Sequence, residues 1–286
     1  MRIYKHSNKN EYVATEDGIW IRNFCKVGVL PVNINDLNSD ADRKLFLTNE
    51  YENVKRGKVY LNPSIKTPIV VIVSDGYDFA EQQALLSAIP TQNVHIFAVN
   101  GALAKWTLLD KSIPAEKRRR INYYIVNNPY STCLKFLPHG DYYPKCIASS
   151  RVNHAFVERY KGEVSFYSPP DEVNFAGIWS RTDCMVDDYR NPVCAALMLA
   201  YRFGAKKIVL LGCDDSFAQE RPGAVKLENG LWTYPPQIVA QRIIDLTLFW
   251  MQKTEIKIYQ HSNGIKYNYC EYITGEEVIK VLNEQQ

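Results

Sequence analysis

The stretch Pro68-Ile69-Val70-Val71-Ile72-Val73-Ser74-Asp75-Gly76 decides the fold class of this chain. Five consecutive branched apolar residues leave no polar face, so the segment predicts a strand covered on both sides, as in a parallel sheet flanked by helices. A short polar loop follows, and from Asp78 the apolar residues Phe79, Ala84, Leu85, Ala88 and Ile89 recur mostly at helical spacing until Pro90 stops them. Val94 to Val99 reads as the next strand, which completes a β-α-β unit.

The alternation continues outward from that unit. Leu103 to Leu109 reads as helix, Ile121 to Val126 and Lys145 to Ser149 as strands, Asn153 to Tyr160 as helix, and Val164 to Tyr167 as strand. Pro192 suits the first turn of a helix over Val193 to Phe203, Gly204 suits its end, and Lys207 to Leu211 is a second very apolar strand. Gln237 to Gln252 reads as a long helix and Glu255 to Tyr259 as a last strand. Right-handed crossovers between these pieces predict an α/β fold with a doubly wound, mostly parallel sheet of Rossmann-like type over residues 67–286. Met1 to Lys66 is less regular: a strand at Gly18 to Arg22, a turn at Gly28 to Pro31 and an acidic, Asn-rich run from Asn33 to Asp42 read as a small N-terminal cap of short strands and turns.

Composition narrows the function. With 286 residues, 46% hydrophobic and 23% charged, the chain can bury one large core. Its 34 basic and 31 acidic residues are too balanced for a nucleic-acid-coating protein. The seven cysteines are scattered, with no CxxC or CxxxC pair to prepare a zinc site, and read as reduced thiols of a cytoplasmic protein. No apolar run approaches membrane-spanning length, so no membrane partner is expected. Homo-oligomerisation is left open.

Ligands of open α/β sheets bind beyond the carboxyl ends of the strands, where strand order reverses. Four strand ends carry polar groups that would meet there. Ser74, Asp75, Gly76 and Asp78 lie between a buried strand and a helix: Gly76 permits close backbone approach, and Asp78 either caps the helix or faces phosphate through a divalent cation. Asn100 with Gly101 and Asn127 with Asn128 offer amide donors and acceptors. Asp214 and Asp215, directly after the second buried strand, are a pair suited to Mg2+ bridging to phosphates, with one of them free to cap a turn instead. Leu231 to Gln237 is aromatic enough to lie over a base or sugar, and helix packing explains it almost as well; His139 lies in a turn. The basic cluster Lys117 to Arg120 reads first as a solvated helix end, with phosphate binding as the alternative.

In their order, these motifs resemble the 6-hydroxymethylpterin diphosphokinase MptE-like proteins, a Rossmann-like group related to bacterial sialyltransferases and flagellin-modifying glycosyltransferases. The resemblance is carried by Asn191-Pro192-Val193, then Gly204-Ala205-Lys206-Lys207 with Ile208 to Asp215, and by Pro68 to Gly76 followed by Val99-Asn100-Gly101. Family members usually carry a Gly-x-Gly-Pro-Ser loop where this chain has Ser74 to Asp78. The sialyltransferase relatives carry a histidine base where this chain has Tyr234-Pro235-Pro236-Gln237. The resemblance therefore implies, first, Mg2+-assisted diphosphoryl transfer from ATP to a small hydroxymethyl acceptor, a reaction that needs no histidine. The alternatives are glycosyl transfer from a CMP- or other nucleotide sugar, with Tyr234, Gln237 or His139 in place of the missing base, and a non-catalytic nucleotide-binding or structural role.

Overall fold

Ile69–Val73 (β5) lies near the middle of an eight-stranded sheet, buried along its whole length. The computed structural model describes residues 2–5, 11–15, 18–21, 26–28, 40–54, 68–76, 79–87, 93–109, 120–169, 186, 188, 191–214, 216–262 and 264–284. The other strands of this sheet are Val94–Val99 (β6), Tyr123–Val126 (β7), Lys145–Ser149 (β8), Val164–Tyr167 (β9), Lys207–Leu211 (β10), Lys257–His261 (β13) and Glu271–Tyr272 (β14). Their order is β14-β13-β10-β5-β6-β7-β8-β9, and every pairing is parallel. The chain runs from β5 outward to β9, returns to place β10 against the other side of β5, and continues to β13 and β14.

Alternate strand residues feed two cores, as the period of two demands. Val71 and Val73 of β5 pack with Phe79–Ser87 (α2), Ala102–Leu109 (α3), His154–Arg159 (α4) and Gly275–Asn283 (α7) through Leu86, Trp106, Phe156 and Val278. Val70 and Ile72 face Pro192–Arg202 (α5) and Pro235–Met251 (α6) through Leu197, Ile244 and Leu248. The buried Asn191 side chain caps α5 by accepting from the Val193 and Cys194 N–H groups at 2.8 and 3.3 Å, with Pro192 in the first turn.

Several boundaries differ from the sequence reading. The long helix begins at Pro235 rather than Gln237 because the two prolines occupy its first turn. The strand read over Glu255 to Tyr259 runs from Lys257 to His261, and β7 starts at Tyr123 rather than Ile121. The N-terminal region holds Arg2–Lys5 (β1), Glu11–Thr15 (β2), Gly18–Ile21 (β3) and Lys26–Gly28 (β4), paired as an antiparallel sheet in chain order. The reading of that region as short strands and turns needs correction at Asp40–Val54, a 15-residue helix (α1). Its buried face is Phe46, Asn49, Glu50 and Asn53, correct in helical spacing but polar at three of four positions, so apolar periodicity was silent there. A short hairpin pairs Val225–Lys226 (β11) with Trp232–Thr233 (β12). The basic cluster at Lys117 to Arg119 lies outside the described residues.

Burial dictates the chemistry of the thiols. It pushes Cys133 and Cys270 up to about 12 and Cys146 well above its ordinary value. Folding therefore keeps these protons on. The stabilising contribution is full below the ordinary thiol value of 9.0 and is lost as pH rises through about 12. Native protein at pH 8 is expected to react with iodoacetamide at Cys133 and Cys146 at least tenfold more slowly than urea-unfolded protein. Equal rates would contradict the burial.

Candidate functional site

Beside β5 the chain reverses direction across the sheet. β5 hands on to β6 on one side and β10 to β13 on the other, so the carboxyl edge between β5 and β10 is the switch point at which open α/β sheets place a ligand crevice. The helices that follow or return over these strands start at the same edge. The N-termini of α2, α3, α5 and α6 consequently lie at this edge with the positive ends of their helix dipoles, α5 being capped by Asn191 and α6 opening with two prolines.

The crevice floor is built by close approach. The Ser74 N–H donates to Leu211 O at 2.9 Å, joining the ends of β5 and β10. At Gly76 a Cβ would fall 2.5 Å from Gly212 O and 2.9 Å from Asp214 Oδ1, so only glycine lets the two loops touch. Gly212 has φ +61° and leaves room for the Gln82 amide of α2, which would stand 2.5 Å from an added Cβ. On the other flank the Asp75 carboxylate sits directly over Gly101.

Lys105, one turn into α3, donates to Asp75 O at 2.6 Å and pairs with Asp75 Oδ2 at 3.7 Å, both side chains being about half exposed. It is a cation at the mouth of the crevice that sequence reasoning missed. Its signal was there: a single charge inside the apolar run Ala102–Leu109, one turn after Gly101.

Asn100 and Asn127 stand at the ends of the adjacent strands β6 and β7. Asn100 takes the left-handed conformation, φ +41°, with its N–H bound to Ile125 O at 3.0 Å. Its Oδ1 is buried without a hydrogen-bond partner, and so is Nδ2 of Asn127. Next to Asn127 lies the buried Tyr167 hydroxyl, which donates to Asp188 Oδ2 at 2.8 Å. Burial, and then the Asp188 charge, hold that phenol well above its ordinary value, so it stays protonated. Ser149 and Asn127 face the same hydroxyl, but Asn127 Nδ2 meets no acceptor at bonding geometry. Buried amide atoms left over in this way are expensive unless a ligand or water completes them. Asn128 turns its own loop by accepting from the Tyr130 N–H at 2.9 Å.

Asp214, the first of the two aspartates after β10, is not the open carboxylate expected. Asp214 is fully buried; its carboxylate accepts from the Ser262 hydroxyl and, at 3.3 Å, from the Ser216 N–H, while its carbonyl accepts from Gln241 Nε2 at 2.7 Å. Gly264 lies so close to that carboxylate that no side chain would fit between them. Asp214 thus ties the loop after β10 to the loop after β13 and to α6. No group of three metal-ligating side chains occurs among the described residues, and Asp78 and Asp215 lie outside them.

Gln237 and Tyr234 serve the start of α6. Gln237 Oε1 accepts from the Tyr234 N–H at 3.0 Å and from the Thr233 hydroxyl at 3.2 Å, and the Tyr234 ring packs on Phe217 at 5.2 Å. His139 is exposed, and its N–H binds Thr107 Oγ1 near the far end of α3, so it stands away from the carboxyl edge. A cavity of about 540 Å3 lined by Tyr201, Arg202, Lys206 and Glu255 opens at the opposite, amino edge of the sheet.

No family model matches the sequence, and no curated protein sequence matches it. Among solved structures, the chain is similar to a MAf glycosyltransferase from Magnetospirillum magneticum AMB-1, with a TM-score of 0.62 at 12% identity over 82% of this chain. The match spans 38% of that protein's length. At this identity the likeness establishes a shared fold. No helix among the described residues is long and apolar enough to cross a membrane.

Proposed function

We propose that the protein is a glycosyltransferase-like enzyme whose carboxyl-edge crevice receives a nucleotide sugar. The observation that carries this reading is the pair of unsatisfied amide atoms at neighbouring strand ends, the acceptor Asn100 Oδ1 and the donor Asn127 Nδ2. A ligand that is donor and acceptor at once, as ribose hydroxyls and nucleobase edges are, completes both. Its phosphate then reaches the N-terminus of α3 once the Asp75 carboxylate turns away from Gly101, which hands Lys105 from Asp75 to the phosphate. The fold shared with a glycosyltransferase supports the same class.

In that reaction an acceptor hydroxyl oxygen attacks the anomeric carbon while the bond to the nucleotide phosphate breaks. Lys105 and the helix N-terminus stabilise the departing phosphate, and positioning supplies most of the remaining rate. The acceptor's proton passes to the departing nucleotide phosphate, and Tyr234, at the start of α6 on the same edge, is the candidate to orient the acceptor hydroxyl; Gln237 holds its backbone. Diphosphoryl transfer from ATP draws no support from the shared fold.

A thermal-shift comparison tests the reading, since a ligand at a hundred times its Kd adds about 2.7 kcal/mol. A CMP- or UDP-sugar is expected to raise the Tm of the wild-type protein by several degrees without Mg2+, and Asn127→Ala to remove at least four-fifths of that shift. A shift seen only with ATP and Mg2+ would replace this reading by diphosphoryl transfer. No shift with any nucleotide would refute it.

A further inference from the structure

The polar face of α1 is spent on the backbone of two loops at the carboxyl edge. Asn49 Nδ2 donates to Pro129 O at 2.9 Å and to Arg151 O at 3.3 Å. Asn53 Nδ2 donates to Ser150 O at 3.0 Å and to Val152 O at 2.8 Å. All four carbonyls belong to the loops after β7 and β8, and the first of those loops begins with Asn127 and Asn128. The two loops are also joined directly, by the Asn153 N–H on Asn128 O at 3.2 Å. Glu50, between the two asparagines, accepts from the Ser150 hydroxyl at 3.2 Å and faces Arg151 Nε at 3.6 Å.

The same contacts fix the orientation of the Asn49 amide. With Nδ2 committed to carbonyls, Oδ1 faces His154, 3.0 Å from its Nδ1, so that Nδ1 carries the proton. Apolar packing alone would let a helix slide along such a surface. A row of amides aimed at specified carbonyls sets one height and one rotation.

We propose that α1 is a positioning element for the donor site: Asn53 and Asn49 hold the loops after β7 and β8 at the height at which Asn127 meets the nucleotide. This rests on the reading of the crevice as a nucleotide site. It goes beyond it by giving a helix outside the sheet's alternation a role in affinity. Asn53 touches no ligand and acts through the Ser150 and Val152 carbonyls.

The test compares wild type, Asn53→Ala, and Val281→Ala, a core truncation in α7 serving as a control for general destabilisation. Hydrogen exchange of the nucleotide-free protein at residues 127–130 and 150–153 is read beside calorimetric titration with a CMP- or UDP-sugar. Asn53→Ala is expected to speed exchange in both loops at least tenfold and to raise Kd about tenfold; Val281→Ala is expected to leave both unchanged at a comparable loss of Tm. Unchanged loop exchange in Asn53→Ala overturns the proposal, as does faster exchange with an unaltered Kd. A wild type that binds no nucleotide refutes the donor-site reading itself and removes this role for α1. Since that result appears in the wild type, the two failures are distinguishable.

Discussion

Replacing Glu50 by alanine is expected to destabilise the protein by about 3 kcal/mol, at the low end of what breaking a buried ion pair costs. The Glu50 side chain is fully buried and that of Arg151 is 7% exposed, with Oε2 and Nε 3.6 Å apart. Removing the carboxylate takes a negative charge from beside a guanidinium that is away from water and frees the Ser150 hydroxyl as well. At roughly 2–4 °C per kcal/mol for a chain of this size, Tm falls by about 6–12 °C. The double replacement Glu50→Leu with Arg151→Met is expected to recover most of that loss, because the cost arises from the charge left away from water rather than from the pair's net worth. Calorimetric unfolding of the three proteins checks this; a single-variant loss below about 1 kcal/mol would mean the pair is solvated.

Asp214→Ala is expected to destabilise by about 2–3 kcal/mol, measured by urea unfolding in the absence of any metal. Hydrogen bonds to a charged group are worth about 1.5–3 kcal/mol each, and the Ser262 hydroxyl and Ser216 N–H would both lose their acceptor in a buried setting. Part of that loss is offset because a buried carboxylate no longer has to be desolvated. The consequence is local as well as global: the loop carrying Ser262 and Gly264 is released from the crevice floor. A residue serving only as a ligand for magnesium would give no loss of stability without the metal. An unchanged unfolding midpoint would therefore restore the metal-ligand role and contradict the tie.

What the sequence made legible follows from burial. β5 and β10 read as parallel strands because both of their faces are covered, and a run such as Lys207–Leu211 has no other home. The ends of β5, β6, β7 and β10 were legible as a candidate site because polar residues there interrupt apolar runs. What could not be read was long-range. Asp214 looks like an open carboxylate until Ser262, forty-eight residues further on, is seen to bind it. Helix α1 hides for the opposite reason: its docking face is Asn49, Glu50 and Asn53, which local pattern assigns to solvent. Tyr234 and Gln237 read as candidates for chemistry, but Gln237 in the first turn of α6 chiefly caps a helix whose start the Pro-Pro pair signalled.

The crevice between β5 and β10, extended over Asn100 and Asn127, is the centre of the account. Hydrogen-exchange footprinting of the wild-type protein with and without a saturating CMP- or UDP-sugar tests it most directly. The expected result is protection confined to residues 74–76, 100–105 and 127–130, at the carboxyl edge. Protection at the opposite edge, around Tyr201 to Lys206 and Glu255, with none at Asn100 or Asn127, would contradict it.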